Sequence, residues 1–371
     1  MFIELHILQN FAPSNLNRDE SNSPKDCIFG GVRRARISSQ CIKRSIRTHP
    51  SFEEETDVET AYRTRLLATI ISDLLQSEGK PEEESDKAAS DLVGALLGGV
   101  DAKKPEQSKV LFYTNQEEKE MLTYRLLDEW DKLAEDKSRK DVMDKISSDF
   151  VKTFQNRTSA PDIALFGRML ADEPKLSLDA AAQVAHALST HRANMEFDFF
   201  TAGDDLQKEG VTGAGMMGVV GFNAATFYRY ASIDFNQLLT NLDREEVLAR
   251  ATVRGFLKAA ALAIPTGKQT SFAAQNPPSF LMAVVRKSES TWSMANAFEK
   301  PISAYGENSL LSASIEALDA YWGAVHSFYG GEVTPFVALV GTDASLDNLS
   351  PYRVPTLEAW LDGVTAEVER G

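Results

Sequence analysis

Six cations, Arg33, Arg34, Arg36, Lys43, Arg44 and Arg47, fall between Cys27 and Phe52, a stretch without a single Asp or Glu. The whole chain carries a formal net charge of -15. A local basic island on an acidic chain is a phosphate-binding signal rather than a by-product of composition. Ser38 or Ser39 is a good N-cap for a helix running to about Thr48, and His49-Pro50 ends it. On that helix Gln40, Lys43, Arg44 and Arg47 share one face, while Ile42 and Ile46 lie opposite and can pack inward. The first-turn amides, including that of Ser39, and the positive end of the helix dipole then sit beside the cations. Gly30-Gly31 supplies a close approach. An ordinary solvated helix with a polar face carries the same charge pattern.

Other constellations are weaker. Asp19, Glu20 and Asp26 flank the basic helix, and clustered carboxylates beside phosphate-binding cations could hold a divalent metal and cut RNA. Loop carboxylates that cap turns and pair with Arg18 or Lys25 explain the same residues. Gly213-Ala-Gly-Met-Met-Gly218 fits GxGxxG but opens no helix, so its glycines read as loop; no GxxxxGK[ST] run occurs. Five histidines form no HExxH, and His186 and His191 are spaced five apart, poorly aligned for joint ligation. No cofactor and no metal is expected. Phe199 and Phe200 are adjacent aromatics on a strand, so they face opposite ways, one towards a core and the other towards solvent; composition alone reads Phe200 and Met169 as core.

The elements that position these residues follow from periodicity. Ile3, Leu5 and Ile7 alternate with Glu4 and His6, which predicts a half-buried strand over residues 2–9, with a Pro-, Ser- and Asn-bearing loop to Pro24. Helical spacing then dominates to about His191, in Tyr62–Leu75, Ala88–Leu97, Glu117–Leu133 and Val142–Phe154. Glycines at 203, 210, 213, 215, 218 and 221 punctuate a long hairpin or protruding loop. Beyond it come a strand to about Tyr230, a helix over 243–264, a strand over 280–286, a helix over 309–327, a strand over 334–340 and a terminal helix over 356–369. This is an α+β set around one sheet, compatible with a ferredoxin-like or RNA-recognition-motif-like core carrying large insertions.

The 371 residues, 43% hydrophobic and 25% charged, are those of a soluble globular chain of two or three units. No apolar run reaches the roughly 18 residues of a membrane span, the N-terminus has no basic leader, and two cysteines, Cys27 and Cys41, make no disulfide framework. A cytoplasmic protein without membrane contact is expected.

The run Leu16-Asn-Arg-Asp19, Lys25-Asp26, Ile28-Phe-Gly-Gly31, Arg33-Arg34 and Arg36-Ile-Ser-Ser-Gln40 with Lys43-Arg44 resembles the N-terminus of the CasC family, the backbone subunit of the type I-E CRISPR Cascade complex. Phe199-Phe-Thr-Ala202 with Asp204-Asp-Leu206, Phe227-Tyr-Arg-Tyr230, Lys268-Gln269 before Asn276-Pro277, and Ser293-Met-Ala-Asn-Ala-Phe-Glu-Lys300 match in the same order. Val32 departs from the pattern, standing where another basic residue is expected.

The resemblance implies a modified RRM/ferredoxin-like palm (residues 1–56 and 222–371), an inserted helical finger lobe (57–191) and a thumb β-hairpin (192–221). It implies binding of the CRISPR guide RNA by several copies stacked head to tail beside other Cascade subunits, with a target DNA strand paired to the guide, in a prokaryotic cytoplasm and with no enzymatic activity of the chain itself. Lys43, Arg44, Arg47, Gln40 and the Ser39 amide are expected on guide phosphates, extended by Arg18, Lys25, Arg33 and Arg34. Lys268 and Lys300 add contacts to RNA or DNA. Met169, next to Arg168 on the finger lobe, and Phe200 on the thumb are implied as the wedge that interrupts base stacking. A metal-assisted ribonuclease using Asp19 or Asp26 is the alternative.

Overall fold

The computed structural model describes every residue except 135, 171–173, 203–215, 288–289 and 305–307. The expected Asp204-Asp-Leu206 motif and most of the hairpin glycines lie outside the described residues.

The described strands are β1 (Phe2–Ser14), β2 (Asp26–Phe29), β3 (Val32–Ile37), β4 (Tyr62–Thr64), β5 (Phe112–Thr114), β6 (Ala182–Val184), β7 (Ala187–Ser189), β8 (Glu196–Ala202), β9 (Met216–Asp234), β10 (Phe280–Arg286) and β11 (Val333–Leu339). The helices are α1 (Ser39–Arg47), α2 (Pro50–Thr56), α3 (Leu67–Ser77), α4 (Glu82–Leu96), α5 (Gln116–Asp128), α6 (Asp136–Phe154), α7 (Pro161–Phe166), α8 (Phe235–Asn241), α9 (Glu246–Leu262), α10 (Gln269–Phe272), α11 (Leu310–Tyr329) and α12 (Leu357–Arg370). They divide into two compact units. One holds Met1–Phe52, Gln183–Ile233 and Val253–Gly371; the other holds Glu53–Ala182 and Asp234–Thr252.

The first unit is built on a sheet of order β11-β10-β1-β9-β7-β3-β2, with β6 and β8 also paired to β9. β1 runs antiparallel to β10, pairing Phe2 with Arg286 and Leu8 with Phe280, and β10 runs antiparallel to β11. Both faces of the sheet are covered. On one, Leu8, Tyr228, Met282 and Val284 pack against Ile315, Leu318 and Trp322 of α11. On the other, Leu5 and Ile7 meet Ile42 and Ile46 of α1 and Phe256 and Ala260 of α9. The alternation in β1 therefore does not mark a solvent face. Glu4 and His6 are both buried: Glu4 pairs with the equally buried Arg286 at 3.2 Å, and His6 Nδ1 shares a 2.8 Å hydrogen bond with the Tyr228 hydroxyl. Polar residues covered by α11 and satisfied by one another give the same period-2 pattern as polar residues in water.

Two further departures from the sequence expectation have local causes. Gly30 and Gly31, both at positive φ, turn β2 into β3, so the stretch before the basic helix is a hairpin and not only a break. Pro50 both follows α1 and opens α2, since proline lacks only an amide that a first helical turn leaves unbonded.

The second unit is mostly helical. Leu67, Ile71 and Leu75 of α3, Leu92 and Leu96 of α4, Leu122 and Leu126 of α5, and Ile146, Phe150 and Phe154 of α6 form one core. β6 and β7, which fall within the expected insertion over 57–191, belong to the main sheet: Ala187 and Leu188 pair with Ile37 and Arg36 of β3.

β8 and β9 make an antiparallel ribbon, with Glu196 opposite Phe222 and Ala202 opposite Met216. Every residue of β8 is exposed.

Candidate nucleic-acid interface

The basic helix is fixed at its start by three contacts. Ser38 Oγ accepts from the Cys41 amide at 3.3 Å, Asn17 Oδ1 accepts from the Ser38 amide at 2.8 Å, and His186 Nδ1 accepts from the Ser39 amide at 2.8 Å. Burial, then the charges of Arg36 and Lys25, push the His186 pKa down, which favours the neutral ring as acceptor. The Ser39 amide, expected on a phosphate, is thus already donated within the fold.

The four expected face residues of α1 do not share one environment. Gln40 and Arg44 are exposed, Lys43 is half-buried and Arg47 is buried. The turn per residue places Ile42, Ile46 and Arg47 on the inward arc, and the outward arc is Gln40, Cys41, Arg44, Ser45 and Thr48.

Of that arc, Cys41, Arg44, Ser45 and Thr48 form one wall of a groove of about 470 Å³. The Leu16–Asn22 loop is the second wall, with Arg18 and Asp19, and Thr266 and Gly267 close it. Gly267 is required there: a Cβ would stand 2.2 Å from the Leu16 carbonyl oxygen. Lys268 follows directly, at φ +52°. Lys25 belongs to the same region, its amide donating 2.9 Å to the Asn17 carbonyl. The structure thus brings Arg18 and Arg44 to one groove, with Lys25 tied by its backbone to Asn17 of the loop wall and Lys268 next in the chain to Gly267. Cys41 belongs to the α1 wall. Burial pushes that thiol's pKa up, against the opposing charges of Arg44 and Lys25.

The acidic residues nearby are committed locally. Asp19 accepts from the Ser21 amide (2.8 Å), the Ser21 hydroxyl (2.7 Å) and the Ser23 amide (3.1 Å); the Ser21 hydroxyl is the main reason its pKa is lowered. Asp26 forms an ion pair with Arg33 across the β2–β3 hairpin. Among the described residues no three His, Cys, Asp or Glu side chains gather as metal ligands would.

Two expected contacts are corrected by burial. Arg34 is 0% exposed, and its donors reach the carbonyl oxygens of Phe29 (3.1 Å), Ser189 (3.0 Å), Thr190 (2.8 Å), Phe298 (2.7 Å) and Glu299 (3.1 Å). A guanidinium held this way is a strut. Arg168, in the helical unit, is buried on Glu118 at 2.6 Å and on the carbonyls of Tyr113 and Leu176. Its neighbour Met169 is 90% exposed, at the rim of a separate cleft of about 540 Å³ lined by Arg63, Leu111, Tyr113 and Phe166.

Arg33 and Lys300 are exposed, and both lie at the β2–β3 turn. Gly30 approaches the Glu299 carbonyl so closely that a Cβ would sit 1.7 Å from its oxygen. On the ribbon, Phe200 lies over Gly218, where a Cβ would come within 2.4 Å of the ring. Phe199 is 62% exposed, and Phe197, Met217 and Val219 are exposed beside it; Phe200 and Met169, which composition assigns to a core, are exposed too. Sequence reasoning also missed Thr266 and Gly267, for which only Gly in the Pro265-Thr-Gly-Lys268 run was a signal.

None of the described helices is long and apolar enough to cross a membrane. No curated relative matches the sequence. Among solved structures, the chain is similar to a subunit of a "CRISPR RNA-guided surveillance complex, pre-nicking", with 29% identity over 99% of this chain and 100% of that one and a TM-score of 0.87. A subunit of a second "CRISPR RNA-guided surveillance complex" shares the fold at 24% identity, with 99% and 100% coverage and a TM-score of 0.76. The model of the CT1975-like proteins, Cas_CT1975, matches residues 3–361, and the chain belongs to that family.

Proposed function

We propose that this chain is the guide-RNA-binding backbone subunit of a type I-E Cascade surveillance complex. Several copies stack along the guide, with other Cascade subunits at its ends, and present it for pairing with a target DNA strand; the chain itself cleaves nothing. The observation that carries the reading is the groove between the Leu16–Asn22 loop and α1. It places Arg18 and Arg44 on facing walls of a chain with net charge -15, with Lys25 and Lys268 alongside. Cations from distant segments converging on one groove suit a phosphate backbone, which fixes position while base pairing reads sequence. Membership of the family and the likeness to surveillance-complex subunits support the same assignment. Met169 and the ribbon aromatics, exposed and apolar, suit stacking on unpaired bases.

The test is binding of single-stranded RNA over a salt series, wild type beside Arg18→Ala/Arg44→Ala. Loss of two phosphate contacts flattens the slope of log K against log salt by roughly 1.4. An unchanged slope removes the groove from the interface. Magnesium-dependent cutting of the RNA, lost in Asp19→Ala or Asp26→Ala, replaces this reading with the nuclease.

A further inference from the structure

Arg229 is a cation buried without a carboxylate partner among the described residues. It lies on β9, 8% exposed, among Leu5 and Ile7 of β1, Ile42 and Ile46 of α1, and Phe256 and Ala260 of α9. Its Nη1 donates 2.7 Å to the neutral Gln9 Oε1. No ion pair within 4.0 Å joins it to a carboxylate among the described residues, whereas buried Arg168 has Glu118, buried Arg286 has Glu4, and buried Arg34 has five carbonyl oxygens on its donors. Burial alone lowers its pKa, to about 10, so it stays charged at neutral pH. A lone buried charge is costly to a fold, so its counter-charge is sought outside.

The surroundings point to where that is. α1 separates Arg229 from the groove: Ile42 and Ile46 face Arg229, and Arg44, Ser45 and Thr48 of the same helix face the groove. The far side of Gln9 is held within the fold. Gln9 Nε2 donates 2.7 Å to the Asn276 carbonyl, and Asn276 Oδ1 accepts from the Ala12 amide at 3.2 Å. The α1 residues that share the Arg229 pocket, Ile42 and Ile46, are apolar, so the field is screened less there than it would be through water.

We propose that Arg229 is a binding residue of the groove that acts through its field, the nucleic-acid phosphates on α1 being the counter-charge that the described residues do not supply. This rests on the reading of the groove as a phosphate interface. It differs from contact residues such as Arg44 in that Arg229 never touches the ligand. It predicts a trade between stability and affinity that a structural arginine would not produce.

The experiment uses the full chain, a labelled single-stranded RNA and three variants. Gln9→Glu installs a carboxylate against Arg229 while keeping the guanidinium in place. The expected result is a higher melting temperature without RNA and a five- to tenfold weaker RNA affinity, roughly as a unit charge about one helix away demands. Arg229→Gln is expected to weaken binding similarly, and Arg229→Lys to stay within about twofold of wild type. RNA affinity in Gln9→Glu equal to wild type overturns the inference, as does a lower melting temperature, which would mean Arg229 is already compensated. Equal losses in Arg229→Gln and Arg229→Lys would make it a shape-specific strut and also overturn it. Should wild type fail to bind RNA, the groove reading falls first and this inference with it; normal wild-type binding with unaffected variants removes this inference alone.

Discussion

Arg34 Nη2 donates a 2.7 Å hydrogen bond to the carbonyl oxygen of Phe298, joining residues 264 apart in the chain. The same guanidinium holds carbonyls of Phe29, Ser189 and Thr190, so one side chain ties the β2–β3 hairpin, the end of β7 and the segment leading to Lys300. Hydrogen bonds from a charged donor contribute about 1.5–3 kcal/mol each at most, and those buried carbonyls have no water to fall back on. Arg34→Ala is therefore expected to destabilise the chain by about 3–5 kcal/mol. Arg34→Lys should recover little, because three donors on a flexible stem cannot span five carbonyls. Urea denaturation decides it: a loss under about 1 kcal/mol in either variant would contradict the strut.

Arg168 offers the parallel case in the helical unit. It and Glu118 are both buried and meet at 2.6 Å, with Glu118 also accepting from the Thr114 hydroxyl at 2.9 Å. Removing one partner strands the other charge, so Arg168→Met alone is expected to cost about 3–5 kcal/mol. The double variant Arg168→Met/Glu118→Leu should regain most of that, since a buried pair replaced by apolar groups is often neutral. A double variant no more stable than the single would mean the carbonyl bonds to Tyr113 and Leu176 dominate. RNA affinity per folded molecule should stay at the wild-type level in both if Arg168 is not a contact.

These two arginines mark the limit of what the sequence discloses. The basic helix, its cap at Ser38 and the inward turn of Ile42 and Ile46 are legible because helical period and capping chemistry are local. The run Arg33-Arg34 is not, because strand neighbours point opposite ways and only the partner strands decide which side is buried. Arg33 came out exposed and Arg34 buried. Glu4 and His6 misled for the same reason: the helix covering them, α11, comes some 300 residues later. Phe200 erred in the opposite direction, since an apolar strand residue gives no sign that its ribbon lacks a covering layer. The groove itself could not be read from spacing, because Gly267 reaches Leu16 only through the tertiary fold.

The buried polar network sets an acid limit on stability. His6 is fully buried beside Glu4 and Arg286, and burial first, then the Arg286 charge, push its pKa down to about 3 from an ordinary 6.5. Between those values the unfolded chain binds a proton that the folded chain refuses, so stability rises with pH across that window and falls on acidification. The full effect is about 1.4 kcal/mol per pH unit below pH 6. Glu4, whose pKa burial raises above 4.5, works in the opposite sense, but it is common to both proteins in the comparison. His6→Gln is expected to be less stable at pH 7 yet to lose less on going from pH 6 to 5. Parallel stability profiles for the two proteins by urea titration would show that His6 takes up its proton without unfolding.

The ribbon separates folding from assembly. Phe199 pairs across to Val219 and Thr201 to Met217, and all four, with Phe197, are exposed. Surface positions outside a core change stability by about 0.5 kcal/mol or less, so Phe197→Ser/Phe199→Ser should melt with wild type. A contiguous exposed apolar patch has a different use, as a contact surface. If neighbouring copies on RNA cover it, the double variant should still bind a short RNA with wild-type affinity but lose cooperativity on a long one. Sedimentation velocity with long RNA then gives isolated bound copies where wild type gives contiguous arrays. Arrays that persist in the variant would assign these aromatics to RNA bases instead, a conclusion that weakened binding of the short RNA would corroborate.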